Sequence, residues 1–288
     1  MRYYEAEFII KPYSSDASDL VAALAGDAGF ETFEETATGL KGYIQQSLFS
    51  EEALKENLSD FPFEGVSISY TIREAEDRDW NEQWEQEGFE PIVVRNKTNS
   101  NRPLVIHDGR HLPETTTNSL LIEIDAKLAF GTGTHETTRM ICAQLLALAP
   151  KGRVLDCGTG TGILSICALK LGASEAVGYD IDEWSVDNAR HNAVINGVDH
   201  CFQSLLGDAS LLDHVEGTFD LVLANINRNI LLNDMPRFRT KMAQGGHLIL
   251  SGFYTADCQM LIEKATSLGL HLESQTEDSD WACLTFIL

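Results

Sequence analysis

Three glycines at every second position, flanked by two aspartates, are the part of this sequence best suited to chemistry. In Val154-Leu155-Asp156-Cys157-Gly158-Thr159-Gly160-Thr161-Gly162 an apolar run ends on Asp156, and Gly158, Gly160 and Gly162 follow. Glycine lets a backbone turn sharply and approach a ligand with no Cβ in the way. Asp180 stands 20 residues beyond Gly160, at the end of the next apolar run. A carboxylate there accepts both hydrogen bonds of a ribose diol. Dinucleotide binding needs G-x-G-x-x-G, and Ile163 occupies the position of the last glycine. Asp156 is also badly placed beside a pyrophosphate and well placed near an α-amino group. S-adenosylmethionine carries such a cation and no phosphate. It is therefore the expected cofactor, with Asp156, Gly158, Gly160 and Asp180 in its site.

Two further positions belong to the same chemistry. Asp208, in Leu206-Gly207-Asp208-Ala209, matches a methyltransferase signature in which an acid near a strand end contacts the adenine amine. A plain surface carboxylate is the alternative. Phe219-Asp220-Leu221-Val222-Leu223-Ala224-Asn225-Ile226 reads as an apolar strand ending in asparagine. Such an end opens onto the ligand crevice. The Asn225 amide oxygen there can accept a hydrogen bond from a substrate amine and aim its lone pair. Methyl transfer is an in-line displacement, so positioning supplies much of the rate. Desolvation lowers an amine pKa, so no dedicated base is required. Upstream, Phe130-Gly131-Thr132-Gly133-Thr134-His135-Glu136-Thr137-Thr138 is a loop at a helix start. It either closes over the cofactor, with Phe130 in contact, or simply caps the helix. No histidine shows metal-ligand spacing.

The elements that must carry these residues read as two domains. Residues 1–73 follow the order βαββαβ, with strands at Tyr4–Ile10, Gly29–Glu35, Gly39–Gln46 and Val66–Arg73 and helices at Asp16–Gly26 and Ser50–Leu58. This suggests a small ferredoxin-like α+β domain, which carries no catalytic spacing and reads as a recognition module. Residues 74–90 are polar and helical in composition, with Trp80 and Trp84 on one face, and form a linker helix. In residues 91–288, the runs Pro91–Val94, Leu104–Ile106 and Leu120–Ile124 suggest edge strands. After them strands alternate with helices: Arg153–Asp156, Ile163–Leu171, Ala176–Tyr179, Ser185–Asn196, Phe219–Ala224, Ile230–Met242, His247–Gly252 and Asp257–Leu268, closing on Ala282–Leu288. That is a doubly wound, Rossmann-like α/β domain, and the glycine loop within it makes a methyltransferase domain the expectation.

Composition narrows the partners. The net charge is −23, and residues 1–73 hold 13 acidic against 5 basic residues. Nucleic acid binding depends on Lys and Arg displacing counterions, so direct recognition of a nucleic acid is not expected. A basic macromolecule would be drawn in. No apolar run is long enough to span a bilayer, and the first residues lack a secretory pattern. The six cysteines form no CxxC pair, which suits free thiols in a reducing cytoplasm. A soluble cytoplasmic monomer is the expectation.

Phe130–Thr138, Asp156–Gly162, Tyr179-Asp180-Ile181-Asp182 and Ala224-Asn225-Ile226, with the upstream Glu76–Trp84, resemble the bacterial PrmA-type ribosomal protein methyltransferases. The resemblance implies methyl transfer to lysine ε-amines and the α-amine of one basic large-subunit ribosomal protein. It also implies that the small N-terminal domain grips that protein. Cofactor contacts are implied at Thr138, Gly158, Asp180 and Asn225. The family usually has proline where Glu136 stands, and Cys-Gly-Ser where Thr159-Gly160-Thr161 stands. The competing reading is a nucleic-acid or small-molecule amino methyltransferase. Base-methylating enzymes usually place an aromatic after Asn-Pro-Pro, and Asn225-Ile226-Asn227 offers none.

Overall fold

Ala6, Phe8 and Ile10 alternate with Glu5, Glu7 and Ile9, so the first strand has one apolar side and one largely polar side. The computed structural model describes residues 3–46, 48–59, 61–63, 65–75, 88–95, 102–112, 118–126 and 133–288. The chain divides into two compact units, residues 1–79 and 80–288. The boundary falls within the expected linker 74–90, and the helix expected there, with both tryptophans, lies outside the described residues.

The first unit runs β1 (Tyr3–Lys11), α1 (Ser15–Asp27), β2 (Thr32–Thr36), β3 (Gly39–Gln45), α2 (Glu51–Ser59), β4 (Ser67–Glu74). The sheet order is β2-β3-β1-β4, with every pairing antiparallel, which is the ferredoxin-like arrangement. Ala17, Val21 and Ala25 of α1 and Leu54 of α2 pack on Ala6, Phe8, Ile10, Leu40 and Ile44. Each large aliphatic side chain buried in this way contributes about 1.5–3 kcal/mol. Ser14 caps α1 by accepting from the Ala17 N–H. Strand β2 starts at Thr32 rather than Gly29. The amides of Gly29 and Phe30 are still bonded to Gly26 and Ala25, closing the helix, and Gly29 has φ +100°.

In the second unit, β5 (Ile92–Val94), β6 (Leu104–His107) and β7 (Leu120–Glu123) form a separate three-stranded sheet. They are not edges of the large sheet, because their apolar faces pack into its helical layer instead: Leu104, Ile106 and Ile122 share a core with Ile141, Leu145 and Ile166. The chain continues with α3 (Glu136–Leu148), β8 (Arg153–Cys157), α4 (Ile163–Leu171), β9 (Glu175–Asp180), α5 (Glu183–Ile195) and β10 (Phe202–Leu206). It ends with β11 (Phe219–Asn225), α6 (Arg228–Lys241), β12 (Met242–Tyr254), α7 (Cys258–Ser267), β13 (His271–Asp278) and β14 (Trp281–Ile287).

The large sheet is ordered β10-β9-β8-β11-β12-β14-β13; β14 is antiparallel to both of its neighbours and the other pairings are parallel. Consecutive residues of one strand serve opposite cores. Val154 lies under α3, α4 and α5, whereas Leu155 lies under α6 and α7. Helices therefore cover both faces, and the order reverses between β8 and β11; open α/β sheets bind ligands at such a reversal, outside the strand carboxyl ends. Met242 belongs to β12, not to the preceding helix, because it pairs with Phe219 ahead of an irregularity in the ladder. No helix among the described residues is long and apolar enough to cross a membrane. All six cysteines are free.

Candidate active site

Asp156, the fourth residue of β8, is fully buried and faces no cation. Its Oδ2 accepts from Thr159 Oγ1 at 2.9 Å, Ser165 Oγ at 2.8 Å and Ser165 N at 3.2 Å. Its Oδ1 is buried without a partner. Burial pushes the carboxyl up to about 6, against the lowering effect of the Ser165 and Thr159 bonds. The Ser165 amide belongs to the first turn of α4, so the protein's own carboxylate already occupies the place where a diphosphate would bind.

The loop then folds over the end of β9. The amides of Gly158 and Thr159 both donate to the Tyr179 carbonyl, at 2.9 and 3.0 Å. Two of the glycines are compelled by space. A Cβ on Gly158 (φ +75°) would stand 2.5 Å from Ile226 Cγ2, and one on Gly162 (φ +80°) 3.1 Å from Ala189 Cβ. The first keeps the loop against the end of β11; the second lets α4 approach α5. Asp180, at the end of β9, accepts from Gly160 N at 2.9 Å and from Asp182 N at 3.1 Å, one bond per oxygen. A carboxylate has about four lone-pair sites, so two remain for a diol.

Asp208 lies on the same rim, beyond Leu206, which pairs with Asp180. It is exposed and caps a short turn by accepting from Ser210 N at 2.8 Å; hydrogen bonds from the Ser210 hydroxyl and then its amide lower its pKa. Asn225 closes β11, one residue past the Ala224–Cys157 pairing. Its Nδ2 donates to Thr138 Oγ1 at 3.4 Å, while its Oδ1 is buried with no hydrogen-bond partner. Thr138 itself is buried in the first turn of α3. Asp156, Gly158, Gly160, Asp180, Asp208, Thr138 and Asn225 thus share the carboxyl edge of one sheet. Phe130 lies outside the described residues.

Other polar residues have structural duties. His135 caps α3, its Nδ1 accepting from Thr137 N, which occupies the lone pair a base would need. Asn227 caps α6, and Arg228 is held by Asp257 at 2.7 Å. No cluster of metal-ligating side chains occurs among the described residues. Sequence reasoning missed an asparagine ladder on α5. Asn192 Nδ2 donates to the Thr161 carbonyl at 2.9 Å, Asn188 Nδ2 donates to the Asp125 carbonyl at 2.8 Å, and Asn196 bonds both backbone groups of Glu123. It ties the glycine loop to the chain after β7. The signal was present: asparagine every fourth residue marks one helix face.

The geometry agrees with what this chain resembles. The family model described as ribosomal protein L11 methyltransferase (PrmA) matches residues 18–287. A ribosomal protein L11 methyltransferase of Phocaeicola vulgatus is 44% identical over 289 residues, covering 100% of both chains. One of Bacteroides fragilis is 44% identical over 291 residues with the same coverage. The crystal structure of a ribosomal protein L11 methylase from Lactobacillus delbrueckii subsp. bulgaricus superposes with a TM-score of 0.59 at 28% identity, covering 69% of this chain and 98% of that one. On a match spanning nearly every residue, the chain belongs to the PrmA family of ribosomal protein L11 methyltransferases.

Proposed function

We propose that this protein uses S-adenosylmethionine to methylate lysine ε-amines of ribosomal protein L11, with Asn225 positioning the amine. The observation that carries this reading is the buried, partnerless Asn225 Oδ1 beside the glycine loop. An amide oxygen kept from water without a donor costs about 1–3 kcal/mol, and a substrate N–H removes that cost. The residues present fit the cofactor. Asp156 Oδ1 is a second buried acceptor with no donor, suited to an α-ammonium. Asp180 keeps lone pairs for the ribose hydroxyls. Ile181, 74% exposed next to it, offers an apolar cover for a purine, and Asp208 an acceptor for its amine.

When bound, S-adenosylmethionine supplies an electrophilic methyl on a sulfonium. Thr138 holds the Asn225 side chain by its amide N–H, which leaves the oxygen aimed away from Thr138 and free to orient a substrate nitrogen. A nitrogen brought to that buried oxygen is desolvated, which favours its neutral, nucleophilic form. The first unit serves as the grip on the substrate protein. A net charge of −23 favours a basic protein over a nucleic acid as the partner.

The test is Asn225→Ala assayed on purified L11 by mass spectrometry. The expected result is a fall in kcat of about a hundredfold or more with L11 binding intact, as for other positioning groups. An unchanged rate, or methyl groups appearing only on residues other than lysine, sinks the reading.

A further inference from the structure

Three aromatic rings stand at the carboxyl edge of the large sheet, the edge on which β11 ends at Asn225. Tyr254 ends β12 and Trp281 opens β14; the two residues pair in register and their rings stack at 4.4 Å. His135 meets Trp281 edge to face, at 4.7 Å and 73°. Each end of this stack is close in the chain to a residue that meets Asn225 or its neighbour Ile226. His135 lies one helical turn before Thr138, whose hydroxyl takes the Asn225 amide N–H. Tyr254 lies two residues beyond Gly252, where a Cβ would stand 2.7 Å from the Ile226 carbonyl oxygen.

The stack is dressed for a cation. Tyr254 is 53% exposed, and its ring stacks on Trp281 alone among the described aromatic rings. Aromatic faces carry negative potential and attract ammonium groups. Asp280, adjacent to Trp281, makes no ion pair among the described residues. The two neighbouring arginines are already held, Arg139 by Glu136 and Asp278 and Arg228 by Asp257.

We propose that the Tyr254–Trp281–His135 stack binds the alkylammonium of the amine substrate, with Tyr254 as the principal contact; this rests on the amine-methylation reading above. Asn225 can hold a nitrogen only while it carries an N–H. Each methyl added removes one such donor, whereas the contact with an aromatic face survives full substitution. The two devices therefore serve different stages of the same nitrogen.

The experiment is calorimetry on the full chain with Nα-acetyl-Nε-trimethyl-lysine amide, and with its neutral isostere in which carbon replaces the quaternary nitrogen. The charged probe is expected to bind about fivefold more tightly than the isostere, the range of an exposed cation–π contact. Tyr254→Leu should erase that preference and Tyr254→Phe should keep it. Equal binding of the two probes, no measurable binding of either, or a preference that survives Tyr254→Leu overturns the proposal. Wild-type methylation of L11, measured in parallel, separates the two readings. Active enzyme with no probe preference defeats the stack alone, whereas absence of any methylated amine defeats the parent reading and the stack with it.

Discussion

Each unit of this protein buries a carboxylate, and the two are treated in opposite ways. In the first unit Glu5 accepts from Arg73 at 2.6 Å and Tyr43 at 3.4 Å and pairs with Lys41 at 3.2 Å. Burial raises its pKa, but the bonds from Arg73 and Lys41 outweigh that and leave it lowered. In the second unit Asp156 meets hydroxyls and one amide but no cation, keeps one oxygen unpartnered, and has its pKa raised. Buried charge is expensive unless paired. The first cluster completes itself; the second is left one partner short, and on the proposed reading the cofactor's ammonium supplies it. The same contrast separates the capped, satisfied Asn227 from the orphaned Asn225 oxygen two residues earlier.

If the first unit only recognises, its removal should split binding from turnover. A chain lacking residues 1–73 is expected to hold S-adenosylmethionine with unchanged affinity while methylation of L11 falls to background. This is the largest effect the comparison makes, and calorimetry beside a methyl-incorporation assay reads it. Full activity of the shortened chain would abolish the division of labour. Within the second unit, Asp180→Ala should weaken cofactor binding at least tenfold, about 1.4 kcal/mol, because it removes an acceptor pair and frees the Gly160 amide. Unchanged affinity would strip Asp180 of its ribose role.

How much of this could be read from residues alone follows a physical rule. The glycine loop and Asp180 were legible because steric demands such as that at Gly158 leave few alternatives. The ferredoxin-like order of the first unit was legible because buried Ala6, Phe8 and Ile10 fall at every second position of β1. Strand β13 was not, since His271–Asp278 is polar on both sides and exists as a strand only by pairing with β14. That β5, β6 and β7 form a sheet of their own was not legible either. Short apolar strands announce burial but not which sheet they join. Tyr254 and Trp281 are 27 positions apart, and only the register between β12 and β14 stacks them.

The smallest effect sharpens the comparison most, because the two carboxylates should respond to pH with opposite signs. Asp156 has a folded value near 6, above that of an unfolded aspartate, so between about pH 4 and 6 the native state binds more protons than the unfolded chain. Its contribution therefore favours the fold in acid and fades as pH rises through 6. Glu5 has a lowered folded value, so its contribution is present above the ordinary glutamate range and lost as pH falls. On the proposed reading the cationic amino group of the cofactor lands on the ionised Asp156. Its affinity should thus drop by up to about tenfold per unit below pH 6, and Asp156→Asn should flatten that profile. Glu5→Gln should leave the profile in place and cost about 1 kcal/mol or less of stability, since Arg73 is more than half exposed. Calorimetric titrations from pH 5 to about 7.5 on the three proteins decide the matter. A cofactor profile that follows Glu5 instead of Asp156 would mean that the incomplete cluster is not where the cation lands.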